Sequence, residues 1–427
     1  MKDAIKKIII GIIEWEARMV LRKYDPYVVA VTGNVGKTSA KEAVYATLSS
    51  QFHTRKSVKS FNSEIGVPLT ILGCPTGWSN PFIWFRNIAW GLLLIVFPFR
   101  YPRYLVLEVG ADRPGDIKRI CSWLIPDVGV VTAFGDIPVH IEYFSSKDEL
   151  VAEKSELIKA LPSSGKAVLN ADDADVSGFH SLFEGKPLLY GFSPRADVRA
   201  SHYTHTYDKD GAVNGFTFKI DQNGSSIPFS FREFVGHQHV YALLAGAAVG
   251  FSQGMHMIAI QESLRSYAAQ AGRMRLLKGK NGSVLIDDSY NASPAATKAA
   301  FAELEAINTD GRKIAIVGDM LELGKYTHSE HVKMGKRVFE IADIVVTVGP
   351  RARCVTEAEN WRSSDHHHFS DSLSARDNIP FTLNKNDVVL IKGSQGARME
   401  HITEALLDDP SNAQHVLVRQ EKHWKGE

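Results

Sequence analysis

The stretch Tyr27-Val28-Val29-Ala30-Val31-Thr32-Gly33-Asn34-Val35-Gly36-Lys37-Thr38-Ser39 does most to narrow what this chain can become. A β-branched run breaks into Gly-x-x-Gly-Lys-Thr-Ser and passes into the helix-favouring residues Ala40 to Ser50. Glycines let backbone N–H groups approach phosphate oxygens, and the helix N-terminus adds a favourable field, so strand, loop and helix in this order read as a phosphate cradle. Gly33, Asn34, Val35, Gly36 and Ser39 would form the nucleotide-binding loop, Lys37 would reach the β and γ phosphates, and the Thr38 hydroxyl would sit on Mg²⁺. The spacing is shorter than G-x-x-x-x-G-K-[ST], because Val31 stands where the first glycine is usual. The alternative for the bare motif is an ordinary glycine-rich strand-to-helix turn.

A chain of 427 residues with 44% hydrophobic content has room for two or three domains. A net charge of +1 gives neither a nucleic-acid footprint nor an acidic tail, so the expected partners are small molecules. Cys74, Cys121 and Cys354 form no C-x-x-C pair, which fits a reducing compartment and a cytoplasmic enzyme. Two apolar segments complicate that expectation. In the first, Ile5, Ile8, Ile9, Ile12, Ile13 and Met19 recur at helical spacing among basic residues, but Glu14 and Glu16 interrupt the run and no small-residue cleavage site follows. The second spans Pro81 to Phe99, where Arg86 and Arg100 leave an uncharged run of 13 residues, short of the roughly 18 expected of a spanning helix. Either both segments pack on each other or on the body of the protein, or residues 1–24 and 81–99 make a peripheral contact with a membrane.

Further along, Lys59 to Thr70 reads as a polar loop suited to substrate contact, with Asn62, Ser63 and Glu64 at its centre. Tyr104 to Gly110 reads as a buried strand carrying Glu108 near the end that faces the ligand crevice of a parallel sheet, a candidate Mg²⁺ partner or a rim charge. His140 follows the apolar strand Val128 to Thr132; it is a candidate metal or phosphate ligand or a surface imidazole. Lys154 lies in a helical stretch from Ser146 to Leu161, where its acidic neighbours suggest a solvated face. Alternation and turn signals between Asp197 and Phe231 predict antiparallel hairpins at one sheet edge. After a hinge at Ala271 to Arg275 the α/β alternation restarts without a second phosphate loop. His366-His367-His368 is expected in a polar surface loop rather than at a metal. The expected fold is therefore α/β: an N-terminal amphipathic helix (1–26), a central P-loop-type ATPase domain with a mostly parallel sheet (27–271, with an apolar insertion at 78–101), and a C-terminal Rossmann-like domain (272–427).

Several segments in order resemble the Mur ligase family. They are Thr32 to Ser39, Phe61 to Thr70, Leu107-Glu108-Val109-Gly110-Ala111-Asp112-Arg113-Pro114-Gly115-Asp116-Ile117, Asn170-Ala171-Asp172-Asp173, Asp287 to Pro294, Gly318-Asp319-Met320-Leu321-Glu322-Leu323-Gly324 and Lys392-Gly393-Ser394. The resemblance implies an ATP-dependent amide ligase of peptidoglycan precursor synthesis. In it, ATP turns a muramoyl-peptide carboxylate into an acyl phosphate, and D-alanyl-D-alanine or a similar amine attacks. It further implies that Lys37 neutralises the transferring phosphate, that Thr38 and Glu108 hold one Mg²⁺, and that His140 holds a second, supported by a carbamylated Lys154. Arg273 and Asp288 would contact ATP, while Asn62, Ser63, Glu64, Asn291, Lys392 and Ser394 would face the substrates.

The chain departs from the family pattern in three places. Only 26 residues precede Tyr27 where the family places a UDP-sugar-binding domain. The adenine-side pattern His-Asn-x-x-Asn reads Gln238-His239-Val240-Tyr241-Ala242, and Pro81 to Phe99 reads as an insertion. Two other readings follow: a ligase of a non-UDP carboxylate, as in cyanophycin and polyglutamate synthesis, or a non-catalytic nucleotide-binding subunit.

Overall fold

The computed structural model describes all residues except 1, 59–60, 78–79, 139, 363–364, 422–423 and 425–427, and only the backbone of residues 2–5. Lys59 and Ser60 of the predicted loop, Trp78 at the start of the predicted insertion and the Ile5 side chain thus lie outside the described residues.

Among the described residues the first α/β unit is a nine-stranded sheet ordered β2-β3-β1-β4-β5-β6-β7-β8-β9. Its strands are β1 (Tyr27–Thr32), β2 (Thr54–Lys56), β3 (Tyr104–Glu108), β4 (Val128–Val131), β5 (Lys166–Asn170), β6 (Leu188–Gly191), β7 (Val198–Tyr207), β8 (Val213–Gln222) and β9 (Ser225–Arg232). Pairing is parallel from β2 across to β7 and antiparallel from β7 to β9, as the hairpin signals predict. Strand β1 is apolar on both faces because both are covered. Val29 and Val31 pack toward the helices α2 (Lys37–Ser49) and His237–Ser252. Val28 and Ala30 pack toward α1 (Lys2–Tyr24), α3 (Gly66–Leu72), α5 (Asp116–Cys121) and α6 (Lys147–Lys159).

The second unit is a six-stranded sheet ordered β10-β11-β15-β12-β13-β14 among the described residues. Its strands are β10 (Arg275–Lys278), β11 (Val284–Asp288), β12 (Lys313–Gly318), β13 (Ile344–Val348), β14 (His366–Phe369) and β15 (Val388–Lys392), all parallel except β10. The joint between the units is built by two left-handed residues, Gly272 (φ 69°) and Met274 (φ 51°), on either side of Arg273. A side chain at Gly272 would press within 2.8 Å of the Tyr290 backbone nitrogen, so glycine is required there.

Three expectations need correction. The second half of the predicted loop is helical: α3 begins at Gly66, and Pro68 is tolerated because the first-turn N–H groups have no intrahelical partner. The histidine triplet forms edge strand β14 rather than a loop, with His366 and His368 both within hydrogen-bond reach of the Thr347 hydroxyl. The face of α6 that carries Glu153 and Lys154 is buried rather than solvated, because α6 packs on the sheet and on α5.

The two apolar segments pack together, α1 lying against helix α4 (Pro81–Val96). Lys23 donates to the carbonyls of Leu94, Ile95 and Phe97 at 2.9, 3.0 and 2.6 Å and so satisfies the open C-terminal end of α4. No helix among the described residues is long and apolar enough to cross a membrane.

Candidate active site

Strand β1 delivers the phosphate loop to the C-terminal edge of the first sheet. Gly33 has φ 135°, and an added Cβ would lie 2.0 Å from the Thr132 hydroxyl; Gly36 has φ 84°. Asn34 and Val35 donate their backbone N–H groups to the Ala133 carbonyl at 2.8 and 3.0 Å, which pins the loop to the end of β4. Helix α2 then starts with no side-chain cap and no acidic residue in its first turn. Its positive end is therefore left for an anion. Lys37 Nζ donates to the Asn34 carbonyl at 3.3 Å, and burial lowers its pKa against the pull of Glu108.

Glu108 ends β3 beside this loop, inside a dense set of short side chains. Its Oε1 accepts from the Thr38 hydroxyl at 3.3 Å and from Asn62 Nδ2 at 3.4 Å. Its Oε2 is buried without a hydrogen-bond partner among the described residues and lies 3.7 Å from the Lys41 ammonium. Sequence reasoning missed Lys41, which is fully buried and also pairs with Glu42 at 3.4 Å. Its spacing of four from Lys37 places both cations on one face of α2, and that was the available signal.

On the other side, His140 sits in a left-handed turn (φ 67°) with Nδ1 2.9 Å from Glu322 of the second unit and Nε2 3.8 Å from Asp112. Burial lowers its pKa while both carboxylates raise it. Lys154 is 2% exposed, and burial together with the charge of Lys37 brings its pKa down to about 7. The adjacent Glu153 accepts from the backbone N–H groups of Gly115, Ile117 and Lys118 at 2.8, 2.6 and 3.2 Å, which caps α5 and fixes the loop holding Asp112.

The second unit closes the cleft. Arg273 donates to the Thr38 hydroxyl at 3.2 Å while its guanidinium lies 4.2 Å over the Tyr290 ring. Asp288 holds the buried Lys392 ammonium at 2.6 Å, and Lys392 also donates to the Asn291 carbonyl at 3.0 Å. The Ser394 hydroxyl accepts from the Leu321 N–H at 2.8 Å. The resulting cavity, about 470 Å³, is bordered by Asn34 to Ser39, Asn62, Glu108 and His140 on one side and by Arg273, Asp288, Asn291, Lys392 and Ser394 on the other. The structure does not bring all the predicted residues to this border. Gly33 packs under the loop, Ser63 Oγ accepts from the Gly66 N–H at 3.4 Å at the start of α3, Glu64 pairs with Arg119 at 2.5 Å, and Lys154 is buried in α6 away from the cavity border.

A smaller cavity of about 220 Å³ adjoins the cleft through Val35, Gly36, Gln238 and Ala299 and is bordered further by Tyr190, His237, Tyr241 and Ala242. His239 does not reach it. Its Nδ1 meets the Tyr267 hydroxyl at 2.7 Å and its Nε2 meets the Arg273 carbonyl at 2.9 Å, and burial pushes its pKa down to about 4.

A phosphate loop on one α/β unit, facing cations and carboxylates of a second across one polar cleft, defines a two-part phosphate-handling enzyme. The family description "Mur ligase middle domain" matches residues 87–250, and "Mur ligase, glutamate ligase domain" matches 272–395. UDP-N-acetylmuramoyl-tripeptide–D-alanyl-D-alanine ligase of Bacillus subtilis is 26% identical over 92% of this chain and 79% of its own length, and that of Escherichia coli is 28% identical with the same coverage. In fold, the chain is similar to the MurF ligase of Thermotoga maritima in complex with ADP, with a TM-score of 0.76, 24% identity, and coverage of 95% of this chain and 84% of that one. The chain belongs to the Mur ligase family, and with that family it is an ATP-dependent ligase that forms carbon–nitrogen bonds.

Proposed function

We propose that this ligase activates the carboxylate of a muramoyl peptide as an acyl phosphate and joins it to D-alanyl-D-alanine or a similar amine, in peptidoglycan precursor synthesis. The observation that carries the proposal is the convergence of Lys37, Thr38, Glu108 and His140 with Arg273, Asp288 and Lys392 on one cleft. The named activity of the Bacillus subtilis and Escherichia coli relatives supports the choice of substrates.

Phosphoryl transfer depends mainly on positioning and charge neutralisation, and this cleft offers cations and backbone donors rather than an activated nucleophile. The substrate carboxylate attacks the γ-phosphorus, the bond to the β-phosphate oxygen breaks, and ADP leaves. The amine then attacks the acyl carbon, phosphate leaves with the bonding pair, and the amine loses a proton. Lys37 and the α2 N-terminus hold the phosphate tail, Arg273 and Asp288 complete the ATP site from the second unit, and Asn62, Asn291, Lys392 and Ser394 border the space for the acceptor and the amine.

The donor set fits Mg²⁺: a hard cation prefers oxygen ligands, and the buried Glu108 Oε2, which accepts no hydrogen bond among the described residues, is such a ligand beside the Thr38 hydroxyl. Mg²⁺ bound there would neutralise phosphate charge, and a second ion would be held by His140. Lys154, with its amine largely uncharged above pH 7, is suited to carbamylation, which would turn it into an anion supporting that second ion.

The test is phosphate release from ATP across a panel of UDP-muramoyl peptides and free carboxylates, each with and without D-alanyl-D-alanine. Amine-dependent turnover on a muramoyl peptide is expected. Turnover confined to free carboxylates would move the substrate class toward polyglutamate-type ligation, and no stimulation by any pair would leave a nucleotide-binding subunit.

A further inference from the structure

Helix α4 is amphipathic in the wrong sense for a protein standing alone in water. Its buried residues Asn87, Gly91 and Leu94 recur at intervals of four and three and face the body. On the opposite side Phe82, Phe85, Leu92, Leu93 and Val96 form one stripe, with Phe82 81%, Phe85 74% and Val96 68% exposed. The uncharged polar residue Asn87 is turned inward. Asn87 Nδ2 donates to the Pro75 carbonyl at 2.7 Å, and the buried Glu16 carboxyl of α1 sits against Gly91, where an added Cβ would lie 2.3 Å from Oε2. Trp90 is anchored by donating to the Leu72 carbonyl at 3.1 Å, so the helix is held firmly with its apolar side outermost. Phe97 and Phe99 extend the exposed aromatic surface past the end of the helix.

We infer that this stripe is a docking surface for an anionic lipid bilayer, on which α4 lies in the plane of the interface. Charge selects this occupant. No Asp or Glu occurs between Glu64 and Glu108, whereas the exposed Arg86 lies within the stripe, the exposed Arg100 lies just past its end, and exposed Lys6 and Lys7 directly precede the exposed Ile8 of α1. Arginine and lysine reach lipid phosphates while aromatic and aliphatic side chains enter the acyl boundary. A helix of 16 residues spans only about 24 Å, less than the hydrocarbon core, so it lies along the surface rather than through it. Immediately upstream, α3 connects this platform to Asn62 at the cleft, so docking holds the acceptor side of the enzyme near the membrane. The inference is independent of which carboxylate is ligated.

The experiment is flotation of the full chain with phosphatidylcholine vesicles and with vesicles containing phosphatidylglycerol, at low and high salt. The protein should float with the anionic vesicles, and high salt should weaken that binding. The double variant Phe85→Asp/Leu92→Asp should lower the bound fraction at least tenfold, and Arg86→Glu/Arg100→Glu should remove the preference for anionic lipid. Both variants should keep wild-type ATP-dependent phosphate release, which shows that they fold. Brominated lipid should quench tryptophan fluorescence in the wild type more than in the aspartate variant. Failure to float with either vesicle, or equal flotation of the aspartate variant, would overturn the inference. So would light scattering showing a dimer that Phe85→Asp/Leu92→Asp dissociates, since a second copy would then cover the stripe.

Discussion

The Glu303 carboxylate, on the helix Pro294–Ala306 of the second unit, meets His205 Nε2 of strand β7 in the first unit at 2.6 Å. The Tyr203 hydroxyl and His237 Nδ1 converge on the same carboxylate, the latter at 3.3 Å, so three side chains of one unit grip a single buried acid of the other. Burial alone would raise the Glu303 pKa, but the hydrogen bonds from His205, His237 and Tyr203 outweigh it and hold the carboxyl at about 2.

A carboxyl whose folded pKa lies below its unfolded value contributes stability above the unfolded value and loses it as pH falls through the folded one. For Glu303 that window runs from 4.5 down to about 2, and the shift corresponds to about 3 kcal/mol. Glu303→Gln should lower the melting temperature at pH 7, flatten the acid limb of the melting curve, and raise KM for ATP by loosening the approach of the second unit. Calorimetry against pH, with steady-state kinetics, checks both effects.

Lys37→Ala removes the cation of the phosphate loop while leaving the Asn34 and Val35 backbone bonds to Ala133 in place. Amide formation should fall by about 10²–10³-fold, as for loss of a single preorganised donor, with an unchanged melting temperature. Glu108→Gln should instead raise the Mg²⁺ concentration needed for half-maximal rate, read by titrating the metal at saturating ATP.

Lys154, its pKa brought down to about 7 by burial and by the charge of Lys37, presents a neutral amine above that pH, and only the neutral amine takes up carbon dioxide. Activity at pH 8 should fall when dissolved carbon dioxide is stripped and return on adding bicarbonate. Labelled bicarbonate should give a carbamate carbonyl signal that is absent in Lys154→Ala. A rate insensitive to bicarbonate would show that the uncarbamylated amine suffices.

Glu16 reverses the sign found at Glu303. It is fully buried beneath α4, and burial raises its pKa from 4.5 to about 7. Its neutral form is favoured in the fold, so stability is fully present below pH 4.5 and is lost as pH rises to about 7, an effect of about 3 kcal/mol. Glu16→Gln should make the protein more stable at pH 8 than the wild type, and Glu16→Asp should not. Thermal melts at pH 5 and pH 8 check this.

The elements carrying the phosphate loop were legible because their chemistry is local: a strand period, glycines, and a lysine at the start of a helix act within a dozen residues. The placement of Glu108 beside the loop was legible because the end of a parallel strand has a known orientation. The burial of Lys154 was not legible, since its acidic neighbours suggest water while the packing of α6 on α5 excludes it. The His205–Glu303 bond had no sequence signal, as it joins residues 98 apart, a strand of the first unit and a helix of the second. For the histidine triplet, composition suggested a loop, whereas pairing with β13 makes it a strand.

His239 gives the architecture one more property. Its imidazole joins the helix His237–Ser252 to the carbonyl of Arg273, and the same helix borders the small cavity through Tyr241 and Ala242. A flat ring wedged into that cavity would bear on a rigid rod whose near end already grasps the swivel between the two sheets. Whatever fills that cavity would thereby be felt at the joint on which the second unit turns.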